Sequence, residues 1–372
     1  MEFEVKQDCR YFTGDKPCKF KRLCKGCDKY DPVKENILII KFAALGDVLR
    51  TTPLLYGLKE KYPKSKITWL TQKDSSEILI NNPLIDEILA FNSQTFAQLS
   101  VRSFDVLVNL DKDKTASAMA SLVRSKVKKG FGLSENGSIT ALDKDSDYAL
   151  QLGLDDELKF RGNKKTYQEI VFEQAGLKYK GQEYILELTP EEFLYGLNVC
   201  EVLGVKEDTI KVGINTGAGN VFCGKKLPAD KLMELIKKLS KLENVEVLLL
   251  GGPDEAEISD YIKSKCRAQV IDTGCNHTIR NFASIINYCN AVLAPDTVAL
   301  HIAIAMKKPV VAIFGSTSSS EIELYGRGEK IASDLKCSPC YKNKCEINEE
   351  CMQKLSIDKI YDAIAKIVKQ RG

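Results

Sequence analysis

Twice along the chain, short apolar runs alternate with segments whose apolar residues recur at helical spacing, and this doubled rhythm restricts the fold more than any other feature. The first series opens on NILII at 36–40, a continuous apolar run of the kind buried on both faces of a parallel sheet, and passes through KITWLT, EILAF and DVLVNLD. Between these strands the spacing predicts a helix over Asp47–Tyr62, with Val48, Leu55, Leu58 and Tyr62 on one side. It also predicts a polar helix near Ser75–Ile80 and another over Lys112–Lys128, while 132–160 reads as a long surface loop. Helices at 165–175 and 190–203 precede a second series, which opens on IKVGINTG and continues through VEVLLLGG, AQVIDTG, AVLAPDT and KPVVAIFGS. Its helices are expected at 228–242, from Asp254, at 279–288 and at 298–305. Repeated strand–helix units require parallel, doubly wound sheets, and 372 residues suit two such domains better than one core. The expected class is α/β, two doubly wound Rossmann-like domains facing a central cleft. The expected boundaries are a cysteine-rich arm at 1–34, a first domain at 35–188 and a second at 189–355 with a cysteine-rich segment at 337–351. An amphipathic helix at 356–372 is expected to pack back across the domain junction.

Composition narrows the function. With 54 basic against 51 acidic residues the net charge is +3, so no global field marks a nucleic-acid binder. No apolar run approaches the roughly 18 residues of a spanning helix, and the first thirty residues lack the apolar stretch of a signal peptide. The expected location is the cytoplasm, with peripheral contact at the inner face of the cytoplasmic membrane left open. Two histidines, His277 and His301, make a His-based triad a poor fit and leave proton transfer mainly to carboxylates and lysines. Of the 13 cysteines, Cys9, Cys18, Cys24 and Cys27 form one group and Cys337, Cys340, Cys345 and Cys351 another. In a reducing compartment each tetrad reads as a metal site before it reads as disulfides. Zinc and an iron–sulfur cluster use the same thiolates, and loop cysteines without metal are the remaining reading. Basic residues interleaved in the arm could touch a polyanion or be solvated. The same choice applies to VRSKVKKGFG, which could meet acceptor phosphates.

Asp47 follows the first strand and Gly46, at the carboxyl end of a sheet where open α/β folds bind ligands, and it equally suits a helix N-terminus. Four loops of the second series, INTGAGNVFCGKK, LLLGGPDE, IDTGCNH and LAPDTVALH, place glycines and helix-start amides where a diphosphate would be held. None is a Walker A loop or a G-x-G-x-x-G fingerprint. Lys225 or Lys226 could balance a leaving diphosphate, and Asp296 could orient a hydroxyl or cap its helix. His301, five residues on, is a ligand contact or a satisfied core histidine.

GDVLRTTPLLYGLKEKYP and APDTVALHIAIAMKKPVVAIFGSTS, with the glycine loops and cysteine tail in register, resemble the signature blocks of glycosyltransferase family 9, the ADP-heptose:lipopolysaccharide heptosyltransferases. The resemblance covers about Ile37 to Val368. It implies a GT-B fold, with acceptor bound mainly by the first domain and nucleotide-sugar donor by the second. It implies an inverting transfer of heptose from ADP-heptose to lipopolysaccharide core, Asp47 acting as general base and Lys225 contacting donor phosphate. Asp296, Thr297 and His301 match the family's donor-site block, with Thr216, Gly217, Gly252, Asp254 and His277 as further donor contacts. No cofactor is then required for catalysis, and zinc or iron–sulfur at the tetrads would be structural. Leu227 stands where the family carries tryptophan, and Val298 where it carries glycine. Val298 supports a second reading with a different nucleotide-sugar donor or surface-glycan acceptor. A lower-ranked reading is a metal- or nucleic-acid-binding regulatory protein on a GT-B scaffold.

Overall fold

The computed structural model describes residues 4–218 and 222–370. It forms two compact units, one from residues up to 43, 53–151 and 169–182, the other from 44–52, 152–168 and residues from 183 onward. The first unit holds β1 (Asn36–Ile40), β2 (Lys66–Thr71), β3 (Glu87–Ala90), β4 (Ser103–Asn109), β5 (Arg124–Leu133) and β6 (Ile139–Ala141), in the order β3-β2-β1-β4-β5-β6. All pairings are parallel except β5 with β6. The apolar run of β1 is buried on both faces, and Leu38, Ile40, Leu70 and Leu107 pack with Leu99 and Met119 from flanking helices.

The segment 47–62 is two helices, Leu45–Thr51 and Leu54–Lys61, because Pro53 has no amide to continue the ladder. The Thr52 hydroxyl and amide both donate to the Leu49 carbonyl, at 2.8 and 3.1 Å, closing the first helix there. The helix expected over 112–128 stops at Leu122, where Val123 turns extended, and the basic run is strand β5. Its lysines are engaged: Lys126 with Asp105 at 2.7 Å, Lys129 with Asp143 and Asp145 at 2.6 Å each, Lys128 with the Ser121 carbonyl. Within 132–160, β6 and a helix at Asp147–Gln151 replace much of the expected loop.

The second unit holds β7 (Ile210–Asn215), β8 (Val245–Leu250), β9 (Ile271–Asp272), β10 (Ala291–Pro295), β11 (Val310–Phe314) and β12 (Gly328–Ala332), all parallel, in the order β12-β11-β10-β7-β8-β9. The C-terminal helix Ile357–Lys369 buries Ile360 and Ile364 against Leu232, Leu235 and Ile236 of the helix Ala229–Leu239, so it completes the core of this unit. Leu227 lies in the same core.

Each sheet reverses its winding once, between β1 and β4 and between β7 and β10. Such switch points open a crevice at the carboxyl ends of the two strands. At the first, Asp111 pairs with Lys41 at 3.1 Å. At the second, Thr297, just past the end of β10, bonds to Asn215 at the end of β7. Among the described residues, no helix is long and apolar enough to cross a membrane.

Candidate active site

The second switch point is built from strand ends. β10 ends at Pro295, Asp296 follows, and Thr297 starts the helix Val298–Ala305. The Thr297 hydroxyl does not cap that helix; it donates to Asn215 Oδ1 at 3.0 Å, tying the ends of β10 and β7 together. The helix start therefore keeps amides without a side-chain cap, a setting that favours an anion. Lys225 Nζ stands 3.6 Å from Asp296 Oδ2, and His301 Nε2 stands 3.8 Å from Asp296 Oδ1. Both separations exceed a normal hydrogen bond, so Lys225 and Asp296 form a loose ion pair with the His301 ring beside it.

His301 is 4 % exposed, and its ring lies against Gly46: a Cβ there would meet His301 Cδ2 at 2.5 Å. Gly46 thus lets the helix Leu45–Thr51, which carries Asp47, reach this sheet end within the same unit. Burial, together with the Arg50 guanidinium, pushes the His301 pKa down to about 4, so the imidazole is neutral at neutral pH. Its Nδ1 lies 3.5 Å from the Tyr184 hydroxyl.

Asp47 is paired through Oδ1 with Arg50 Nη2 at 2.9 Å, one helical turn on. Arg50 also lies 3.8 Å from Glu321 Oε2 and 3.8 Å above the centre of the Tyr167 ring. Burial opposes its charge, but Asp47, Tyr167 and Glu321 outweigh that and hold Arg50 above its ordinary range. Burial raises the Glu321 carboxyl against the pull of Arg50, and burial, with the Glu321 charge, likewise raises the Tyr341 phenol.

The structure therefore brings Asp47, Lys225, Asp296, Thr297 and His301 together, with Thr216 buried at the end of β7. A Cβ at Gly217 would fall 1.9 Å from the Glu255 carboxylate and displace it; that carboxylate accepts the Gly252 amide at 2.9 Å. Asp254, on the turn after β8, is exposed. His277 is held on both sides. Its Nε2 donates to the Thr273 carbonyl at 2.8 Å, which leaves Nδ1 to accept from the Tyr195 hydroxyl at 2.9 Å. Val298 is half-buried at the first helical position. Sequence reasoning missed Arg50, Glu321, Tyr167, Tyr184 and Glu255. Only Arg50 carried a local signal, as a cation three residues after Asp47 on a helix.

The cysteine tail braces the Lys225 loop. The Cys223 amide and thiol both meet the Lys342 carbonyl at 3.1 Å, the Cys351 thiol faces the Gly224 carbonyl at 3.8 Å, and Cys345 accepts the Glu349 amide. All 13 cysteines are free thiols. Among the described residues, no three His, Cys, Asp or Glu side chains are grouped so as to hold one metal ion.

The family model "Glycosyltransferase family 9 (heptosyltransferase)" matches residues 94–350. The chain belongs to glycosyltransferase family 9. It is 24% identical over 332 residues to lipooligosaccharide heptosyltransferase 2 of Campylobacter jejuni, covering 87% of this chain and 96% of that protein. Among solved structures it is similar to a family 9 glycosyltransferase from Veillonella parvula, with TM-score 0.73, 18% identity and coverage of 90% and 98% of the two chains. It is also similar to the ADP-heptose lipopolysaccharide heptosyltransferase II of E. coli, with TM-score 0.66, 16% identity and coverage of 90% and 99%. These likenesses establish the GT-B fold expected from the sequence. The chain is accordingly a glycosyltransferase.

Proposed function

We propose that this glycosyltransferase moves heptose from ADP-heptose to a lipopolysaccharide core acceptor, with inversion at the anomeric carbon. The observation that carries the reading is the convergence of Asp47 and Arg50 with Asp296, Lys225 and His301 in one compact unit. In this reading the second unit is the donor side and the first the acceptor side. Asp47 takes the proton from the acceptor hydroxyl as that oxygen attacks the anomeric carbon. The bond to the diphosphate breaks on the opposite face, and its electron pair goes to the phosphate oxygen. Lys225 and the helix-start amides at Val298 receive that charge, which grows in the transition state. Arg50 aims the Asp47 carboxylate, and neutral His301 offers hydrogen bonds without adding positive charge. Thr216, Gly217, Gly252, Asp254 and His277 belong to the donor side of this reading.

The segment holding Cys337, Cys340, Cys345 and Cys351 serves as a brace for the Lys225 loop, with no part in the chemistry. The enzyme works in the cytoplasm, touching the inner membrane surface where its acceptor is anchored. Val298 favours one second reading, in which the same machinery uses another nucleotide sugar. Incubation with ADP-heptose and a deep-core acceptor, with release of ADP measured, separates the two. Asp47→Asn is expected to lower kcat by about 10³-fold, within the range for general base catalysis. Full activity in that variant removes Asp47 as base. Turnover with a different nucleotide sugar but none with ADP-heptose selects the second reading.

A further inference from the structure

The net charge of the chain is not spread along it. Residues 1–34 hold nine basic and six acidic residues of the chain's 54 and 51, so the cysteine arm carries the whole excess of +3 and the rest is balanced. Within the arm, the stretch 16–29 sets Lys16, Lys19, Lys21, Arg22, Lys25 and Lys29 against one acid, Asp28, and all six cations are exposed. The arm lies outside the family match, and glycosyl transfer gives it no role.

These cations differ from the chain's other basic run. In β5, Lys126, Lys128 and Lys129 are held by their own unit, two of them by carboxylates. In the arm, Asp28 pairs with Arg22 and, at 3.5 Å, with Lys29. Among the described residues, no ion pair engages Lys16, Lys21 or Lys25. The arm that presents them is fixed to the first unit. Arg10 bonds to Asp31, Asp86 and the Ser65 carbonyl, and the Val33 amide donates to the Asp8 carbonyl at 2.8 Å. The Lys34 amide donates to the Lys64 carbonyl at 3.1 Å, which sets exposed Lys64 beside the end of the arm.

The apolar side chains choose between polyanions. A single-stranded nucleic acid is gripped by open aromatic faces as well as by cations. Here Tyr11 and Phe20 pack edge to face at 5.0 Å, Lys19 lies over both rings at 4.3 and 5.0 Å, and Lys6 lies over that of Tyr30 at 4.2 Å. What the arm does present is Leu23, 75% exposed between Arg22 and Cys24. Clustered cations around a protruding aliphatic side chain suit an anionic bilayer, where the charges meet lipid phosphates and the aliphatic group enters the headgroup layer.

We propose that the arm docks the chain on an anionic membrane surface through Lys16, Lys21, Lys25 and Leu23. This docking rests on the membrane contact in the reading above and names the surface that makes it. The test is cosedimentation of the full chain with vesicles of phosphatidylcholine, alone or mixed equally with phosphatidylglycerol. Binding is expected only to the mixed vesicles and should fade as salt rises. Lys16→Gln with Lys21→Gln and Lys25→Gln should weaken it about tenfold or more, since each lysine near such a surface contributes roughly fivefold. Leu23→Ser alone should weaken it about threefold. Lys237→Gln with Lys241→Gln and Lys265→Gln, the same charge change on exposed lysines of the second unit, should bind as the parent does. Melting curves like the parent's show the variants folded, so the vesicle result stands even where ADP-heptose fails as donor. Absent binding to the mixed vesicles, unchanged binding in either arm variant, or equal losses in the two lysine variants overturn the proposal. So does tighter binding, per phosphate, to a single-stranded oligonucleotide than to the mixed vesicles.

Discussion

The two switch points of this molecule carry the same residue types in different states. At the first, Asp111 Oδ2 accepts from Lys41 Nζ at 3.1 Å and from the Phe42 amide at 3.0 Å, and Oδ1 accepts from the Asp113 amide at 3.0 Å. Lys41 also donates to the Ala43 carbonyl, and the side chains of the pair are 7% and 12% exposed. That carboxylate is saturated by its own chain. At the second, Asp296 stands 3.6 Å from Lys225 and 3.8 Å from His301, with the side chains of Asp296 and Lys225 20% and 14% exposed. A lysine–aspartate pair at a sheet's carboxyl end is thus structural when backbone amides complete it. It is ready for a ligand when it is held apart and the nearest helix start is left without a side-chain cap.

Three substitutions press on that difference. The largest effect is expected at the saturated pair. Lys41→Met leaves Asp111 buried beside an apolar chain, and urea unfolding should show a loss of about 3–5 kcal/mol. A loss below about 1 kcal/mol would mean that the first pair is as loose as the second.

The next effect is pH-dependent. His301 keeps its neutral form in the fold down to about 4, whereas its ordinary pKa is 6.5. The unfolded chain therefore binds the proton first as pH falls through this window, so the stabilisation is complete above about 6.5 and is lost progressively towards 4. The shift corresponds to about 3 kcal/mol. His301→Gln should remove this component from the pH dependence of stability. Parallel pH curves for the variant and the parent would contradict the buried, neutral assignment.

Gly46→Ala is the smallest of the three. Its Cβ would stand 2.5 Å from the His301 ring, and relief by shifting the helix or the ring should cost about 1–3 kcal/mol. A variant as stable as the parent would show that the helix carrying Asp47 is less closely held than the contact implies.

Much of the fold was legible in the sequence because buried parallel strands are continuous apolar runs, as in β1, β7, β10 and β11. Strands without such runs were hidden. β5 is basic and largely exposed over its first half, and β12 has only Ile331 buried, so neither shows a strand pattern. The placement of Leu45–Thr51 in the second unit is a tertiary property with no local signature. The cluster around Lys225, Asp296 and His301 was legible through motif blocks. Glu321, Tyr167 and Tyr184 were not, because chain folding alone brings them to Arg50 and His301 from distant positions.

The central claim is that the second switch point, and not the first, receives the nucleotide diphosphate. Calorimetric titration of ADP into the full chain tests it directly, with Lys225→Ala and Lys41→Met compared at a temperature where both are folded. Losing a charged hydrogen-bond donor to phosphate should weaken ADP about tenfold or more in Lys225→Ala. Lys41→Met should bind ADP as the parent does. Unchanged affinity in Lys225→Ala, or a comparable loss in Lys41→Met, would contradict the assignment.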